Sequence, residues 1–196
     1  MHTPDADAQD RAAMSRLAAG DDTALVALME RHAPTVLRYL QGLLGDAEDA
    51  LDLAQETFVR VYQARHRFRP RDRFLPWLYT IATNLARNRL RWRQRHPTVA
   101  LASSEESADE SSASNPTLTA SDPPPGENLL ARERAAAVRA AVWRLPPDLR
   151  EVVVLCAWEE RSHAEAAAIL GTTPKAVESR LYRARQRLQD ELRAWW

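Results

Sequence analysis

Apolar residues recur every three or four positions over most of the chain, the spacing of one buried face on an α-helix. Leu25, Leu28, Met29 and His32 open this pattern, and Val36, Leu37, Leu40 and Leu44 continue it. Gly45-Asp46 interrupts it. A second helix is predicted from about Ala47, with Ala47, Ala50, Leu51, Ala54, Phe58, Val61 and Tyr62 along its core stripe. A third is predicted from about Phe74 to Arg93, burying Phe74, Trp77, Leu78, Ile81, Ala82 and Leu85. Its other side then carries Thr80, Thr83, Arg87 and Arg91, with Asn84 at the edge, and Trp77 reads as core rather than as a stacking platform.

Between residues 97 and 127 the periodicity stops, Ser, Glu and Asp cluster, and Pro123-Pro124-Pro125 follows, a composition unable to bury a core. From Leu129 helical spacing resumes, broken at Leu145-Pro146-Pro147 and at Gly171-Thr172-Thr173-Pro174. The pattern predicts an all-α protein of two small helical domains on a flexible acidic Pro/Ser-rich linker. Residues 1–21 form an N-terminal tail leading into the first helix, 22–95 the first domain, 96–128 the linker and 129–196 the second domain.

Within the second domain, Ser162-His163-Ala164-Glu165 has the form of a capping box. The helix it starts ends at Gly171, suited to a left-handed turn, and Thr173-Pro174 supplies an N-cap and a first helical residue for the next. A helix-turn-helix follows. In its second helix Val177, Leu181, Ala184 and Leu188 share one stripe, while Lys175, Ser179, Tyr182, Arg183 and Gln186 gather opposite. Lys, Ser and Arg on such a face suit base edges in a major groove, and Arg180, Arg185 and Arg187 beside it suit phosphates. A plain helical hairpin with a solvated charged face has the same periodicity, but the short glycine turn and basic excess favour the DNA reader.

Composition narrows the class. The chain is 45% hydrophobic and 28% charged, ordinary for a globular protein. Its longest apolar run, residues 152–158, falls short of the roughly 18 residues a membrane span needs, and the polar, acidic first ten residues are unlike an export signal. The lone Cys156 has no partner for a disulfide or metal site, so it reads as a small buried hydrophobe in a cytoplasmic protein, and no metal or cofactor is expected. His163 reads as an exposed helix-start position, and no acid, base and nucleophile stand together, so the chain is expected not to be an enzyme.

Charge changes the picture most. The 27 basic and 27 acidic residues cancel, yet from Arg60 to Arg95 eleven basic residues face a single acid, a net +10. The loop Arg65, Arg67, Phe68, Arg69, Arg71, Arg73 interleaves cations with an aromatic, a surface able to follow a phosphate backbone and cradle a displaced base. Residues 39–59 hold five acids and no Lys or Arg. There Asp49, Asp52, Glu56, Arg60 and Gln63 lie opposite the core stripe with Leu53 among them, and an apolar side chain ringed by acids suggests docking to a protein partner.

These residues resemble the extracytoplasmic-function (ECF) group of bacterial RNA polymerase sigma factors, in the sigma-70 family. Asp46-Ala47-Glu48-Asp49-Ala50-Leu51-Asp52-Leu53-Ala54-Gln55-Glu56-Thr57-Phe58 resembles the region-two helix that grips the polymerase clamp. Phe74-Leu75-Pro76-Trp77-Leu78-Tyr79-Thr80-Ile81-Ala82-Thr83-Asn84-Leu85-Ala86 resembles the segment that melts and reads the minus-ten element. Leu145-Pro146-Pro147 with residues 162–188 resembles region four, which reads the minus-thirty-five element.

The resemblance implies that Asp49, Asp52, Leu53, Gln55 and Glu56 bind core RNA polymerase through the clamp helices of its beta-prime subunit. It implies that the Arg65–Arg73 loop, Thr83, Asn84, Arg87 and Arg91 meet the opened non-template strand, and that Thr173, Lys175, Ser179, Arg180, Tyr182, Arg183 and Arg187 meet upstream promoter DNA. The flap of the beta subunit and an anti-sigma factor are further implied partners, and the linker would thread the polymerase as a nucleic-acid mimic. The sequence departs from the family at Asn88, usually Asp, at Glu178, usually basic, and at Arg161, usually Gly. Ala166-Ala167 replaces a bulkier pair, which predicts loose packing in the second domain. Without the resemblance, a stand-alone helix-turn-helix regulator fits the same residues.

Overall fold

A computed structural model of the chain describes residues 4–69, 71–96 and 125–193. Helices α1 (Pro4–Ala18), α2 (Thr23–Leu44), α3 (Ala47–Gln63) and α4 (Phe74–Arg95) form a first lobe, with a 3-10 turn at Arg65–Arg67. The second lobe holds α5 (Pro125–Arg144), α6 (Pro147–Val153), a π-helical turn at Val154–Trp158, α7 (His163–Leu170) and α8 (Pro174–Leu192). No strand occurs among the described residues, as the helical spacing predicts. Most of the expected linker lies outside the described residues, and its last positions, from Pro125, belong to α5.

Local chemistry sets the helix ends. Gly45 closes α2 in the left-handed region at φ 72°, its N–H donating to the Gln41 carbonyl. Asp46 then caps α3, its carboxylate accepting from the Asp49 N–H at 2.9 Å. In the second lobe the capping box forms in full: Ser162 accepts from the Glu165 N–H and Glu165 accepts from the Ser162 N–H. Gly171 ends α7 at φ 64°, and Thr173 caps α8 by accepting from Ala176 N–H at 3.2 Å.

Two helical faces are rotated from the sequence expectation, and the N-terminal segment holds a helix of its own. Residues 1–21, expected as an N-terminal tail and the start of the first helix, include the separate helix α1, which buries Met14 and Leu17 and sets the buried Asp10 against Arg31 and His32. Its apolar positions are too few to announce a stripe; neighbours on α2 and α4 supply the burial. On α3, Leu53 is 7% exposed, not a surface residue, and Leu51, expected in the core, is 48% exposed. The buried stripe runs through Ala50, Leu53, Ala54, Thr57, Phe58 and Val61 because α2 and α4 both cover that helix. On α4, Thr83 is fully buried instead of facing outward, sharing a 2.7 Å hydrogen bond with the Tyr39 hydroxyl of α2. Trp77, Ile81 and Leu85 are only partly buried, and Leu75, Tyr79 and Ala86 take the core positions.

The lobes are docked on one another. Gly42 of α2 faces the π-helical turn so closely that a Cβ there would lie 2.8 Å from the Trp158 ring and 2.9 Å from Val154. Glu159, buried, accepts from the Tyr79 hydroxyl at 2.6 Å and from Arg38 Nε at 3.1 Å. Glu151, also buried, takes both arms of Arg87 at 2.7 Å each. Arg150 Nη1 donates to the Leu43 carbonyl at 2.6 Å, and the Arg161 guanidinium lies 5.2 Å over the Tyr79 ring. Ala166 and Ala167, expected to leave the second lobe loose, are buried where α7 meets α4 and α8; small side chains allow that three-helix approach.

Candidate nucleic-acid and polymerase interfaces

The outer face of α8 is the most open of the candidate surfaces. Val177, Leu181 and Ala184 are buried beneath it, while Lys175, Ser179, Arg183 and Arg187 are exposed and Tyr182 is 64% exposed. Tyr182 accepts from Gln186 Nε2 at 2.9 Å, which ties its ring along the helix. Arg180 is half-buried, its Nε 4.0 Å from Asp148. Glu178 pairs with Lys175 at 2.9 Å, and that hydrogen bond and charge hold its carboxyl below the ordinary value. The acid thus neutralises a neighbouring cation in the free chain. Thr173, expected at the DNA, spends its hydroxyl on the cap of α8, which places the helix N-terminus and its partial positive charge on the same side.

A second cationic surface lies around α4. Arg67, Arg69, Arg71 and Arg73 are exposed, whereas Phe68 is partly buried against Phe74 and Trp77, at ring distances of 6.1 and 5.2 Å. Phe68 anchors the loop. Arg65 donates to the Tyr62 carbonyl at 2.9 Å and stacks over the Tyr62 ring, closing α3. Arg91 reaches the Asn88 side chain at 2.7 Å and stays exposed. A cleft of about 450 Å³ brings Arg67 and Asn84 together with Arg60, Gln63, Asn88, Ile81 and Leu85. Amide groups at its rim and apolar walls are chemically suited to an unstacked base. Of these, Arg60 and Gln63 read in sequence as part of the acidic helix's outer face, and Asn88 as a departure from a family pattern. Only the crossing of α3 and α4 joins them to Asn84.

Two of the expected DNA contacts on the first lobe are engaged by carboxylates of the second. Arg87 is held by Glu151, whose hydrogen bond raises the guanidinium pKa above its ordinary value against the opposing effect of burial. Arg73 donates to Glu165 at 2.8 Å. Burial pushes the Glu165 carboxyl up, but hydrogen bonds from Ser162 and Arg73 outweigh it and leave the carboxyl below its ordinary value.

On α3 the candidate polymerase surface differs from the sequence expectation. Asp52 and Gln55 are exposed and Glu56 is half-buried, paired with Arg60 at 2.6 Å. Asp49 is buried, held by Arg89 at 2.5 Å and Arg93 at 2.6 Å. The apolar residues beside Asp52 and Gln55 are Leu51 and Val59, 48% and 46% exposed, in place of Leu53. Leu51, Gln55 and Val59 are four apart and share a face, a signal available in the sequence once the burial of Leu53 is known. Cys156 is half-buried beside the core, and burial raises its thiol pKa. Among the described residues no helix is long and apolar enough to cross a membrane.

Comparison with known proteins accounts for both lobes. Residues 28–96 match the family model of sigma-70 region 2, and residues 135–188 that of sigma-70 region 4. The chain is 38% identical to the RNA polymerase sigma factor CarQ of Myxococcus xanthus, over 91% of this chain and 95% of that protein. It is 37% identical to the ECF RNA polymerase sigma factor SigE of Mycolicibacterium smegmatis, over 89% of this chain and 65% of that longer one. Among solved structures it is similar to CnrH, a sigma factor of Cupriavidus metallidurans solved in complex with the cytosolic domain of CnrY, with a TM-score of 0.69, 29% identity, and coverage of 95% of this chain and 98% of that one. Region 2 followed by region 4, at this level of identity over nearly the whole chain, replaces the alternative of a stand-alone regulator: the protein belongs to the ECF group of the sigma-70 family, non-enzymatic RNA polymerase sigma factors that direct transcription initiation.

Proposed function

We propose that this sigma factor reads its promoter at two places, with α8 at the minus-thirty-five element and the α3–α4 cleft at the minus-ten element, while the outer face of α3 holds core RNA polymerase. The observation carrying the reading is the exposed face of α8, where Arg183, Arg187, Lys175, Ser179 and Tyr182 project from a helix whose opposite stripe is buried. In this reading Arg183 meets a base edge, and Arg180 and Arg187 meet flanking phosphates. At the minus-ten element Asn84, Asn88, Gln63 and Arg67 take a base lifted from the stack, and Arg69, Arg71, Arg73, Arg87 and Arg91 follow the non-template backbone. Thr83 supports the α2–α4 packing that shapes this surface and makes no DNA contact.

On α3, Asp52, Gln55 and Glu56 with Leu51 and Val59 dock on the clamp helices of the beta-prime subunit, acids around an apolar centre. Asp49 and Leu53 act beneath that surface. The second lobe meets the flap of the beta subunit, and an anti-sigma factor regulates the protein in the cytoplasm, as the family resemblance implies. The test is in vitro transcription from genomic DNA by core polymerase with and without the chain, mapping start sites. New starts sharing two spaced elements are expected, and Asp52→Arg should abolish them by preventing capture of core. Unaltered capture of core by that variant would remove the assignment of α3.

A further inference from the structure

We propose that Glu178 is a specificity-determining residue of α8, its carboxylate selecting a cytosine in the upstream promoter element by accepting from the exocyclic amino group. The proposal rests on the assignment of the outer face of α8 to upstream DNA made above. Lys175, Glu178 and Tyr182 follow one another at spacings of three and four, so they form one ridge along that helix. Glu178 stands in the first half of α8, the part of a recognition helix whose side chains meet base edges. Residues 174–189 hold five cations and this single acid, and the next acid, Asp190, is about three turns farther along the axis. A negative charge there lowers attraction to phosphate on every sequence alike, so its benefit lies in discrimination between sequences.

The fold gives this carboxylate little structural work. Its ion pair with Lys175 joins side chains that are 56% and 81% exposed and spans a single turn, a contact of small weight in stability. Lys175 Nζ donates to Oε2 at 2.9 Å, and Oε1 has no hydrogen-bond partner among the described residues. Two neighbouring polar groups are turned on the helix itself: the Ser179 hydroxyl donates to the Lys175 carbonyl at 2.9 Å, and the Tyr182 hydroxyl accepts from Gln186. The hydrogen bond and charge of Lys175 hold the Glu178 carboxyl below its ordinary value, so it meets DNA ionised, as an acceptor alone. In the major groove guanine shows two acceptors, thymine a carbonyl and a methyl group, and adenine an acceptor beside its amino group. Cytosine shows a donor with no acceptor next to it, so a carboxylate favours it over the other three. Lys175, on its flexible stem, turns to a flanking phosphate as Glu178 turns to the base.

The test uses holoenzyme, core RNA polymerase with the full chain, on a mapped promoter whose upstream element is randomised, with sequencing of the bound and the transcribed DNA. Wild type should prefer cytosine at one position by about tenfold over each other base. Glu178→Gln keeps the shape of the side chain and should move that preference to adenine, whose amino group and N7 pair with an amide. Glu178→Lys should move it to guanine, and both variants should leave the preferences at the other positions as they are. Each replaces an exposed side chain, which leaves the fold intact. Unchanged base preferences in both variants, a wild-type preference other than cytosine at the position they alter, or a change in affinity uniform over all sequences would overturn the proposal. Arg183→Ala separates this from failure of the underlying reading. If it too leaves every upstream preference intact, α8 does not read the element; preferences that Arg183→Ala alters and the Glu178 variants keep remove the role of Glu178 alone.

Discussion

Replacing Asp49 by alanine separates a structural role from a polymerase contact. Asp49 lies in the first turn of α3, and its carboxylate joins that helix to Arg89 at 2.5 Å and Arg93 at 2.6 Å on α4. Arg93 retains Asp46 at 2.7 Å after the change, so Arg89 alone loses its carboxylate partner, and being about one third exposed it regains water. A hydrogen bond to a charged group contributes about 1.5–3 kcal/mol, and partial exposure places this one toward the lower end. An acid in a helix first turn adds about 0.5 kcal/mol. The sum, about 2–3 kcal/mol, corresponds to a melting temperature lower by about 5–10 °C for a chain of this size. Thermal unfolding followed by circular dichroism measures it, and capture of core polymerase well below the melting range should remain near wild type. Asp52→Arg, at an exposed position, should do the reverse, losing core while melting within about 2 °C of wild type. If Asp49→Ala melts like wild type yet fails to bind core, the buried placement of this carboxylate is wrong.

Arg183→Ala should weaken binding of holoenzyme to the upstream element by about 1–3 kcal/mol, measured by competition between promoters; equal loss on every sequence would make the residue a phosphate contact. The Glu165 carboxyl titrates below its ordinary value of 4.5 in the folded chain, so its contribution to stability is complete above that pH and is lost as pH falls through the lowered value. Replacement by Gln should therefore flatten part of the acid side of a melting-temperature profile and leave the slope between pH 6 and 8 unchanged. Glu160→Gly should relieve the left-handed residue and raise stability by up to about 1 kcal/mol, read from chemical denaturation; a loss of stability would show that φ 52° is unstrained there.

The order of the helices after α1, the capping box, the glycine-ended turn and the exposed cationic face of α8 were legible along the chain, because each depends on residues within a few positions of one another. Ser162 with Glu165, Gly171, Thr173 and the stripe Val177, Leu181, Ala184 are local signals, and the fold repeats them. The family likewise follows from short motifs in a fixed order. What periodicity left open was which side of a helix is covered when more than one neighbour packs on it. Leu53 and Thr83 looked exposed from one stripe and are buried because a second helix covers each of them, while Leu51 lies outside both contacts. Asp49 reads in sequence as one acid among five, and only the crossing of α3 and α4 gives it two arginines. The pairings of Glu151 with Arg87 and Glu159 with Tyr79 join residues 64 and 80 positions apart. Helical spacing has a reach of one or two turns, so contacts of that separation, and with them the docking of the lobes, are decided only in three dimensions.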